Sequence, residues 1–231
     1  MQHRSIAIDG PSGAGKSTLA RRLAQALGYL YVDTGAIYRT VGLAAYREQI
    51  PLEEEAVARL LPSLDIKMCY GEDGLQHMFL HGEDVTEAIR QHEVSDYTST
   101  VSAFPAVRSF LLDMQRRLAR EQDVIMDGRD IGTVVLPQAD LKIFLTASPQ
   151  ARARRRCLEL RQRGQQADEG QVLRDVLERD RRDMERESAP LRQSDDAVVV
   201  DTTQKDLEES FAVMLALIRR TLNLEEGHSH V

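Results

Sequence analysis

The sequence predicts an α/β fold built on a doubly wound parallel sheet, and three observations support this prediction. Short apolar runs alternate along the chain with longer segments that have helical periodicity. The runs are nearly continuous in apolar character, as expected of strands buried on both faces of a parallel sheet. Four of the five runs end in aspartate, and ligands of such sheets gather at the carboxyl ends of the strands.

Each element follows from its own stretch of sequence. The five predicted strands are Ser5–Asp9, Leu30–Asp33, Val124–Asp127, Leu141–Leu145 and Ala197–Asp201. Apolar residues recur at the spacing of one helix face in the segments between and after them. The predicted helices are Lys16–Leu27, Ala36–Gln49, Pro105–Gln122, Pro149–Arg163, Gly170–Glu187 and Leu207–Leu222. A chain of 231 residues suits one such domain, residues 1–231, with insertions.

Two stretches interrupt this alternation. Asp65–Thr86 alternates apolar and polar residues and contains the turn sequence GEDG, which predicts a small antiparallel hairpin with room for a third strand. It falls between the second and third strands, so we interpret it as an insertion. Glu159–Glu169 is polar and rich in arginine, and it predicts a second, shorter insertion between two helices.

Composition excludes some classes of partner. The net charge is −7, whereas a protein that binds nucleic acid usually has a basic domain, so we expect no nucleic-acid partner. No apolar run approaches the roughly 18 residues of a membrane span, so we expect no membrane partner. Cys69 and Cys157 are far apart and form no CxxC pattern, which favours reduced thiols in a cytoplasmic protein.

The segment Gly10–Ser17 matches the phosphate-binding motif G-x-x-x-x-G-K-S, between a predicted strand and a predicted helix. The backbone N–H groups of such a P-loop surround phosphate oxygens at the positive end of the helix. Lys16 can reach the β- and γ-phosphates of a nucleotide, and the Ser17 hydroxyl can ligate Mg²⁺. The motif predicts a bound triphosphate but does not specify a reaction.

Three classes of P-loop protein could use that triphosphate. A GTPase should contain an NKxD segment, which this sequence lacks. An ATPase needs an acidic residue after a strand to position water, and VIMDG could supply it. A small-molecule kinase needs arginines directed at a second, acceptor phosphate, because arginine forms bidentate pairs with phosphate.

Arginines and carboxylates follow several strand ends. The segment YVDTGAIYR places Arg39 soon after Asp33 and Thr34, and VIMDGRDIG places Arg129 and Asp130 just beyond the third strand. On a later helix, Val172, Val176, Arg179, Asp183 and Arg186 share one face by their spacing. That face begins apolar and ends charged, which is typical of a helix whose last turns reach a cleft. The basic stretch ARARRRCLELRQRG, in a chain of negative net charge, favours a triphosphate as its counter-ion.

Taken together, these motifs resemble the cytidylate kinase family. The resemblance rests on IAIDGPSGAGKST, YVDTGAIYR, SAFPAVR, DGRDIGTVV and ERDRRDMERESAPL, and it extends from about Ser5 to Asp201. It implies transfer of a phosphoryl group from ATP, as Mg-ATP, to CMP or dCMP. It also implies a P-loop three-layer sandwich with a five-stranded parallel sheet, a monophosphate-binding insert at residues 63–100 and a lid at residues 154–169.

The resemblance implies roles for individual residues. The residues implied for ATP are Gly10, Pro11, Ser12, Gly13, Ala14, Gly15, Lys16, Ser17 and Thr18, with Arg154 and Arg161 of the lid. The residues implied for CMP are Thr34, Arg39, Ser99, Arg108, Arg129, Asp130, Asp183 and Arg186. Arg39, Arg129 and Arg186 would grip the acceptor phosphate, while Lys16, Arg129 and Arg179 would act on the transferred group. Many relatives have serine at the position of Thr34, which keeps the hydroxyl.

The chemistry of the base agrees with one of these roles. Cytosine presents an N4 amine donor where uracil presents an O4 acceptor, and a carboxylate such as Asp130 accepts from that amine. Two alternatives stay open: a related kinase with another acceptor such as UMP, AMP or shikimate, and a nucleotide-binding switch that transfers nothing. The family resemblance also implies a monomer.

Overall fold

The computed structural model describes residues 3–71, 74–162 and 164–224. The central pair of the predicted GEDG turn, residues 72 and 73, and Arg163, the predicted last residue of a helix, lie outside the described residues. The chain forms two compact units. The first comprises the residues up to Tyr31 and from Gln122 onward, and the second comprises Val32–Glu121.

The elements alternate in the predicted order. The strands are β1 (Ser5–Asp9), β2 (Leu30–Asp33), β3 (Ile66–Tyr70), β4 (Gln76–Leu80), β5 (Glu83–Asp84), β6 (Val124–Gly128), β7 (Leu141–Thr146) and β8 (Val198–Asp201). The helices are α1 (Lys16–Leu27), α2 (Thr34–Arg47), α3 (Glu54–Leu60), α4 (His92–Val101), α5 (Pro105–Glu121), α6 (Pro149–Gln162), α7 (Glu169–Glu185) and α8 (Leu207–Leu222). Helices α3 and α4 were not predicted from the sequence.

A five-stranded sheet in the order β2-β6-β1-β7-β8 confirms the predicted fold class, and the described strand pairs of this sheet are parallel. In the register of β1 and β6, Ile8 lies opposite Asp127 and Asp9 lies opposite Gly128. The two strands therefore end level with each other. The loops that follow them, the P-loop and the DGRDIG segment, begin side by side.

One face of this sheet packs against α1 and α8. The contacts are apolar because both helices present their buried faces to the strands: the buried members include Ile6, Ile8, Ile143, Leu145, Leu19, Leu23, Met214 and Ile218. Helix α8 begins with a capping box in which Asp206 and Glu209 satisfy each other's backbone N–H groups. This packing fixes α1, and with it the end of the P-loop, against the sheet.

Helices α6 and α7 pack together around a small cluster of Ala153, Cys157 and Val172, with Val176 against it. Gly164, with a φ of 75°, lies in the connection between them. This pair of helices includes the predicted lid. Both cysteines are free thiols, Cys157 buried and Cys69 exposed.

The second unit contains the predicted antiparallel insertion as a sheet of order β3-β4-β5. Helices α2 and α4 of this unit approach closely at Gly42, where a Cβ would lie 2.5 Å from Thr98 Oγ1. Gln76 of β4 accepts from the backbone N–H of Asp33 at 2.8 Å and donates to its carbonyl oxygen at 3.1 Å. The insertion thereby holds the residue that caps the start of α2.

Two predicted helix boundaries, the start of α2 and the end of α7, were wrong. Helix α2 begins at Thr34, two residues before the predicted start, because the Asp33 carboxylate accepts from the Ala36 N–H at 3.0 Å and caps the helix. Helix α7 ends at Glu185, so Arg186 has a φ of −59° and a ψ of 139° and lies beyond the helix rather than on its face. None of the helices in the described part of the chain is both long enough and apolar enough to cross a bilayer.

Candidate active site

The P-loop follows β1 directly and has the backbone of an anion-binding loop. Gly10, Gly13 and Gly15 have φ values of 146°, 76° and 92°. A Cβ on Gly10 would lie 2.0 Å from the carbonyl oxygen of Leu145, so only glycine fits there. No side chain caps the first turn of α1, which leaves its N–H groups available to phosphate oxygens.

Lys16 is the cation of this loop. Its Nζ donates to the carbonyl oxygen of Pro11 at 2.8 Å, and the residue is 5% exposed. Burial lowers the pKa of the Lys16 ammonium to about 7, and the nearby Arg129 acts in the same direction. A phosphate beside the ammonium would raise this pKa again, since an opposite charge favours the charged form. Lys16 is therefore matched to an anionic ligand.

Ser17 and Asp127 form an oxygen-rich pair. Ser17 Oγ donates to Asp127 Oδ2 at 2.8 Å, and Tyr31 Oη donates to Asp127 Oδ1 at 3.0 Å. A hydroxyl and a carboxylate are the ligands that Mg²⁺ prefers when substrate phosphates and water supply the rest. No group of three His, Cys, Asp or Glu suited to a metal occurs in the part of the chain that the structure describes. Ser17 and Asp127 fit a Mg²⁺ ion as two members of a ligand set that substrate phosphates and water would complete.

Asp9 joins the P-loop to the DGRDIG segment. Its Oδ1 accepts from the Ile131 N–H at 2.8 Å, and its Oδ2 accepts from the Gly132 N–H at 2.7 Å. Burial raises the pKa of Asp9 to about 6, although these two backbone hydrogen bonds and Lys16 oppose the rise while Asp130 adds to it. The two N–H groups that donate to Asp9 belong to the first two residues of a single turn of π-helix, Ile131–Val135.

The predicted acceptor residues of the first unit form two ion pairs. Arg129 Nε donates to Asp183 Oδ2 at 2.7 Å, and Arg186 Nη2 donates to Asp130 Oδ1 at 3.4 Å. Burial opposes ionisation of Asp183, but Arg129, Arg179 and Arg186 more than offset it, so its pKa is lowered. The Arg186 and Asp130 side chains are 10% and 6% exposed. Two arginines and two carboxylates thus meet from β6 and the end of α7.

The other three arginines of the first unit to which the family resemblance gives a role differ in their surroundings. Arg179 is exposed on α7 and acts electrostatically on Asp183. Arg154 is also exposed and lies 3.8 Å from Glu169, while Arg161 donates to the Ala167 carbonyl oxygen at 3.5 Å. The two lid candidates therefore bond within the α6–α7 pair.

In the second unit, Arg39 is held at the start of α2. Its Nη2 donates to Asp33 Oδ2 at 2.7 Å, and its Nε is buried with no partner among the described residues. A Cβ on Gly35 would lie 3.0 Å from both Arg39 Nη1 and Asp33 Oδ1, which explains the glycine in DTGAIYR. Thr34 is 3% exposed. A buried donor without a partner is what a phosphate oxygen would satisfy.

Ser99 and Arg108 lie on neighbouring helices of the second unit. Ser99 is exposed on α4. Arg108, on α5, is buried at 8% exposure, donates to the Ser102 carbonyl oxygen at 3.0 Å and lies 5.3 Å from the centre of the Tyr38 ring. Tyr38 precedes Arg39 on α2, so both arginines belong to the same part of this unit.

Three polar residues of the first unit that contact the P-loop or the DGRDIG segment, or belong to them, were not among the predicted site residues. Asp9 was recognised only as a strand end, and Asp127 was considered beyond that only as the acidic residue with which an ATPase would position water. Their place at the carboxyl edge of the sheet was the signal that could have found them. Arg152 was not singled out within its basic stretch. It is 2% exposed and donates to Ser12 O in the P-loop and to Asp180 on α7, at 2.9 Å in each case.

The parallel sheet, the P-loop and the arginine–carboxylate pairs of the first unit define a P-loop phosphotransferase. Comparisons with known proteins narrow the class. The family model described as cytidylate kinase matches residues 6–220. A cytidylate kinase of Caldicellulosiruptor bescii is 50% identical over 97% of this chain and 100% of its own length. One from Carboxydothermus hydrogenoformans is 49% identical over 93% of this chain and 97% of its own. The chain belongs to the cytidylate kinase family and is a kinase.

Solved structures of other kinases are less similar to this chain in sequence than the two cytidylate kinases are. A gluconokinase from Sinorhizobium meliloti aligns over 97% of this chain and 98% of its own, with a TM-score of 0.48 and 17% identity. A shikimate kinase from Bacteroides thetaiotaomicron aligns over 96% and 99%, with a TM-score of 0.46 and 15% identity. Similarities at this level add nothing to the family assignment.

Proposed function

We propose that the protein transfers the γ-phosphoryl group of ATP to CMP or dCMP, giving ADP and CDP or dCDP. The observation that most supports this is the ion-pair set of Arg129 with Asp183 and Arg186 with Asp130 beside the P-loop. A hydrolase needs to position only water, whereas paired arginines suit an acceptor with its own phosphate. Membership of the cytidylate kinase family supports the same acceptor.

The donor half of the reaction rests on the P-loop. We propose that Gly10–Thr18 hold the phosphates of ATP, with Lys16 against the β- and γ-phosphates, and that Arg154 and Arg161 bind ATP from the lid. Ser17 and Asp127 would hold Mg²⁺, directly or through water, and the ion would neutralise charge on the bound triphosphate. The buried ammonium of Lys16 and its lowered pKa support this role, because an anionic ligand would stabilise its charge.

Acceptor roles are proposed for residues of the two units separately. In the first unit, Arg129 and Arg186 would grip the CMP phosphate, Asp183 would bind the sugar, and Asp130 would accept from the cytosine amine. In the second unit, Arg39 would bind phosphate through the buried Nε that lacks a partner among the described residues. Thr34, Ser99 and Arg108 would contact the nucleoside.

The proposed step is a direct displacement. A phosphate oxygen of CMP attacks the γ-phosphorus; the new P–O bond forms as the bond to the β–γ bridging oxygen breaks, and ADP leaves with that electron pair. No general base is needed because the attacking oxygen is already ionised near neutral pH. Lys16, Arg129 and Arg179 would offset the charge of the transferred group, so catalysis consists of positioning and electrostatics.

ATP consumption with a panel of acceptors tests the proposal. CMP and dCMP should be consumed far faster than UMP, AMP, shikimate or water, and Lys16→Ala should abolish transfer. Asp130→Ala should lower kcat/KM for CMP by about 10²-fold or more and for UMP much less, since a buried polar contact carries the discrimination. Equal losses with both acceptors would remove Asp130 from base recognition. Rapid hydrolysis without CMP would indicate an ATPase, and tight ATP binding without any transfer would indicate a switch.

The remaining features are part of the same proposal. We expect a monomer that works in the cytoplasm with ATP and CMP or dCMP as its ligands, and with neither nucleic acid nor membrane as a partner. The acidic net charge of −7 supports this expectation for nucleic acid. Sedimentation at micromolar concentration, with and without nucleotides, would test the monomer.

A further inference from the structure

We propose that Asp9 is a positioning residue for the acceptor nucleotide: it holds the turn that carries Arg129 and Asp130 in the place where these side chains meet CMP. The inference deepens the proposed function and rests on it. Asp9 itself is not proposed to touch CMP, and its effect would pass through the backbone of the DGRDIG segment.

The hydrogen-bond geometry supports this role. Asp9 is 5% exposed, and each of its two carboxylate oxygens accepts one backbone N–H, from Ile131 at 2.8 Å and from Gly132 at 2.7 Å. These two peptide groups directly follow Asp130 in the chain. Charge-assisted bonds of this kind are short and strong. Both are made by one rigid group, so they fix the orientation of the turn as well as its position.

Steric constraints act at the same point. A Cβ on Gly132 would lie 3.3 Å from Asp9 Oδ2 and 3.1 Å from Lys142 Cδ. The turn therefore lies closer to the carboxylate than a residue with a Cβ would ordinarily allow. Asp9 also pairs with Gly128, the last residue of β6, in the register of the sheet. The segment that carries Arg129 and Asp130 is thus held on both sides by one residue of β1.

The chemistry requires a carboxylate at position 9. Two converging N–H donors need two acceptors, and an asparagine would offer one oxygen and one NH₂ group. The NH₂ group would oppose one of the two N–H groups and push the turn away. The turn carries acceptor-binding residues, whereas the P-loop keeps its own glycine geometry and the Lys16 contact. Loss of the carboxylate should therefore affect CMP more than ATP.

Steady-state kinetics of Asp9→Asn tests this inference. We expect kcat/KM for CMP to fall by about 10²-fold, the loss typical of a displacement near 1 Å. The KM for ATP should change by less than about threefold, and the preference for CMP over UMP should fall because Asp130 is displaced. Asp140→Asn is the matched control. The Asp140 carboxylate accepts from the Ser5 N–H at 2.7 Å at the other end of β1, so this variant should keep wild-type kinetics.

Equal loss of affinity for CMP and ATP would overturn the inference, because Asp9 would then act on the P-loop. Unchanged kinetics in a folded Asp9→Asn protein would also overturn it. If Asp9→Asn does not fold, Gly132→Ala perturbs the same contact from the other side and should show the same pattern. Calorimetric binding of CMP and of a non-hydrolysable ATP analogue gives the same comparison without turnover.

The wild-type protein separates failure of this inference from failure of the proposed function. Absence of CMP turnover by the wild type would refute the function. Normal wild-type turnover with an unaffected Asp9→Asn would refute only the positioning role.

Discussion

Replacing Arg152 with methionine should destabilise the fold strongly, although the sequence shows this residue only as one of six arginines in the stretch ARARRRCLELRQRG. The guanidinium donates to both oxygens of Asp180, to the Ser12 carbonyl oxygen at 2.9 Å and to the Ala147 carbonyl oxygen at 3.0 Å. The Arg152 and Asp180 side chains are 3% and 15% exposed. One side chain thus joins the P-loop, the start of α6 and the middle of α7.

The size of this loss of stability follows from the burial of the Arg152–Asp180 pair. Removing one partner of a buried ion pair leaves the other charge without compensation and costs about 3–5 kcal/mol. A domain has about 5–15 kcal/mol of stability in total, so the loss is a large fraction of it. With an m-value of about 2–3 kcal/mol/M, the urea midpoint should fall by about 1–2.5 M. Methionine keeps most of the side-chain volume, so a cavity contributes little.

Urea unfolding followed by circular dichroism measures this loss. The matched control is Arg47→Met, because Arg47 also makes a bidentate pair, with Glu83, but the two side chains are 39% and 57% exposed. Solvent screens such a pair, so its midpoint should not shift measurably. A double-mutant cycle with Asp180→Leu should give a coupling of about 1–3 kcal/mol. Equal midpoints for the Arg152 and Arg47 variants would refute the reasoning.

Three further predictions concern the P-loop, the acceptor and pH. Gly10→Ala should lower the free energy of unfolding by at least about 2 kcal/mol, because the new Cβ would meet a backbone carbonyl. Gly28 has open space around it, so Gly28→Ala should lower this free energy by only about 1 kcal/mol, from left-handed strain. Equal losses of the two variants in thermal unfolding would contradict this prediction. Arg39→Lys should raise the KM for CMP about tenfold or more, because the bidentate geometry of arginine is lost. Arg47→Lys, on the same helix, should leave this KM unchanged. Matching kinetics of the two variants would place Arg39 outside the acceptor site. The pKa of Asp9 is raised from 3.8 to about 6 in the folded state, so the folded protein holds this proton more tightly than the unfolded chain does. The contribution of this carboxyl group to stability should therefore fall by about 3 kcal/mol as pH rises from about 3 to 7. The difference in unfolding free energy between the wild type and Asp9→Asn should follow that fall, and a constant difference would refute it.

Much of the architecture could be predicted because its signals are local. The apolar runs at β1 and β2 and the periodic faces of α1 and α8 gave boundaries that match the structure. Each of these elements has a strong end signal, such as the glycine-rich loop before α1 or the capping box before α8. Helices α3 and α4 were missed because both are short, with 7 and 10 residues. Such short segments carry few periodic apolar positions.

The candidate site was predicted only in part, for a physical reason. A motif such as the P-loop reports residues that act together while adjacent in the chain. Asp9 and Arg152 act through partners more than 100 positions away, Ile131 and Ser12. No spacing along the chain reveals such a contact. Arg186 was placed on the face of α7 by its spacing, but the helix ends one residue earlier and the side chain instead contacts Asp130.

By itself the sequence determined the order of strands and helices, the P-loop and the resemblance to a nucleotide kinase family, because these depend on local pattern and on residue type. The tertiary structure alone decided which charges are buried and what they bond to. Burial lowers the pKa of Lys16 and raises that of Asp9. It also separates Arg152, whose loss should destabilise the fold, from Arg154, which is two residues away and exposed. Burial arises from packing between segments distant in the chain, and it sets the strength of each charged contact.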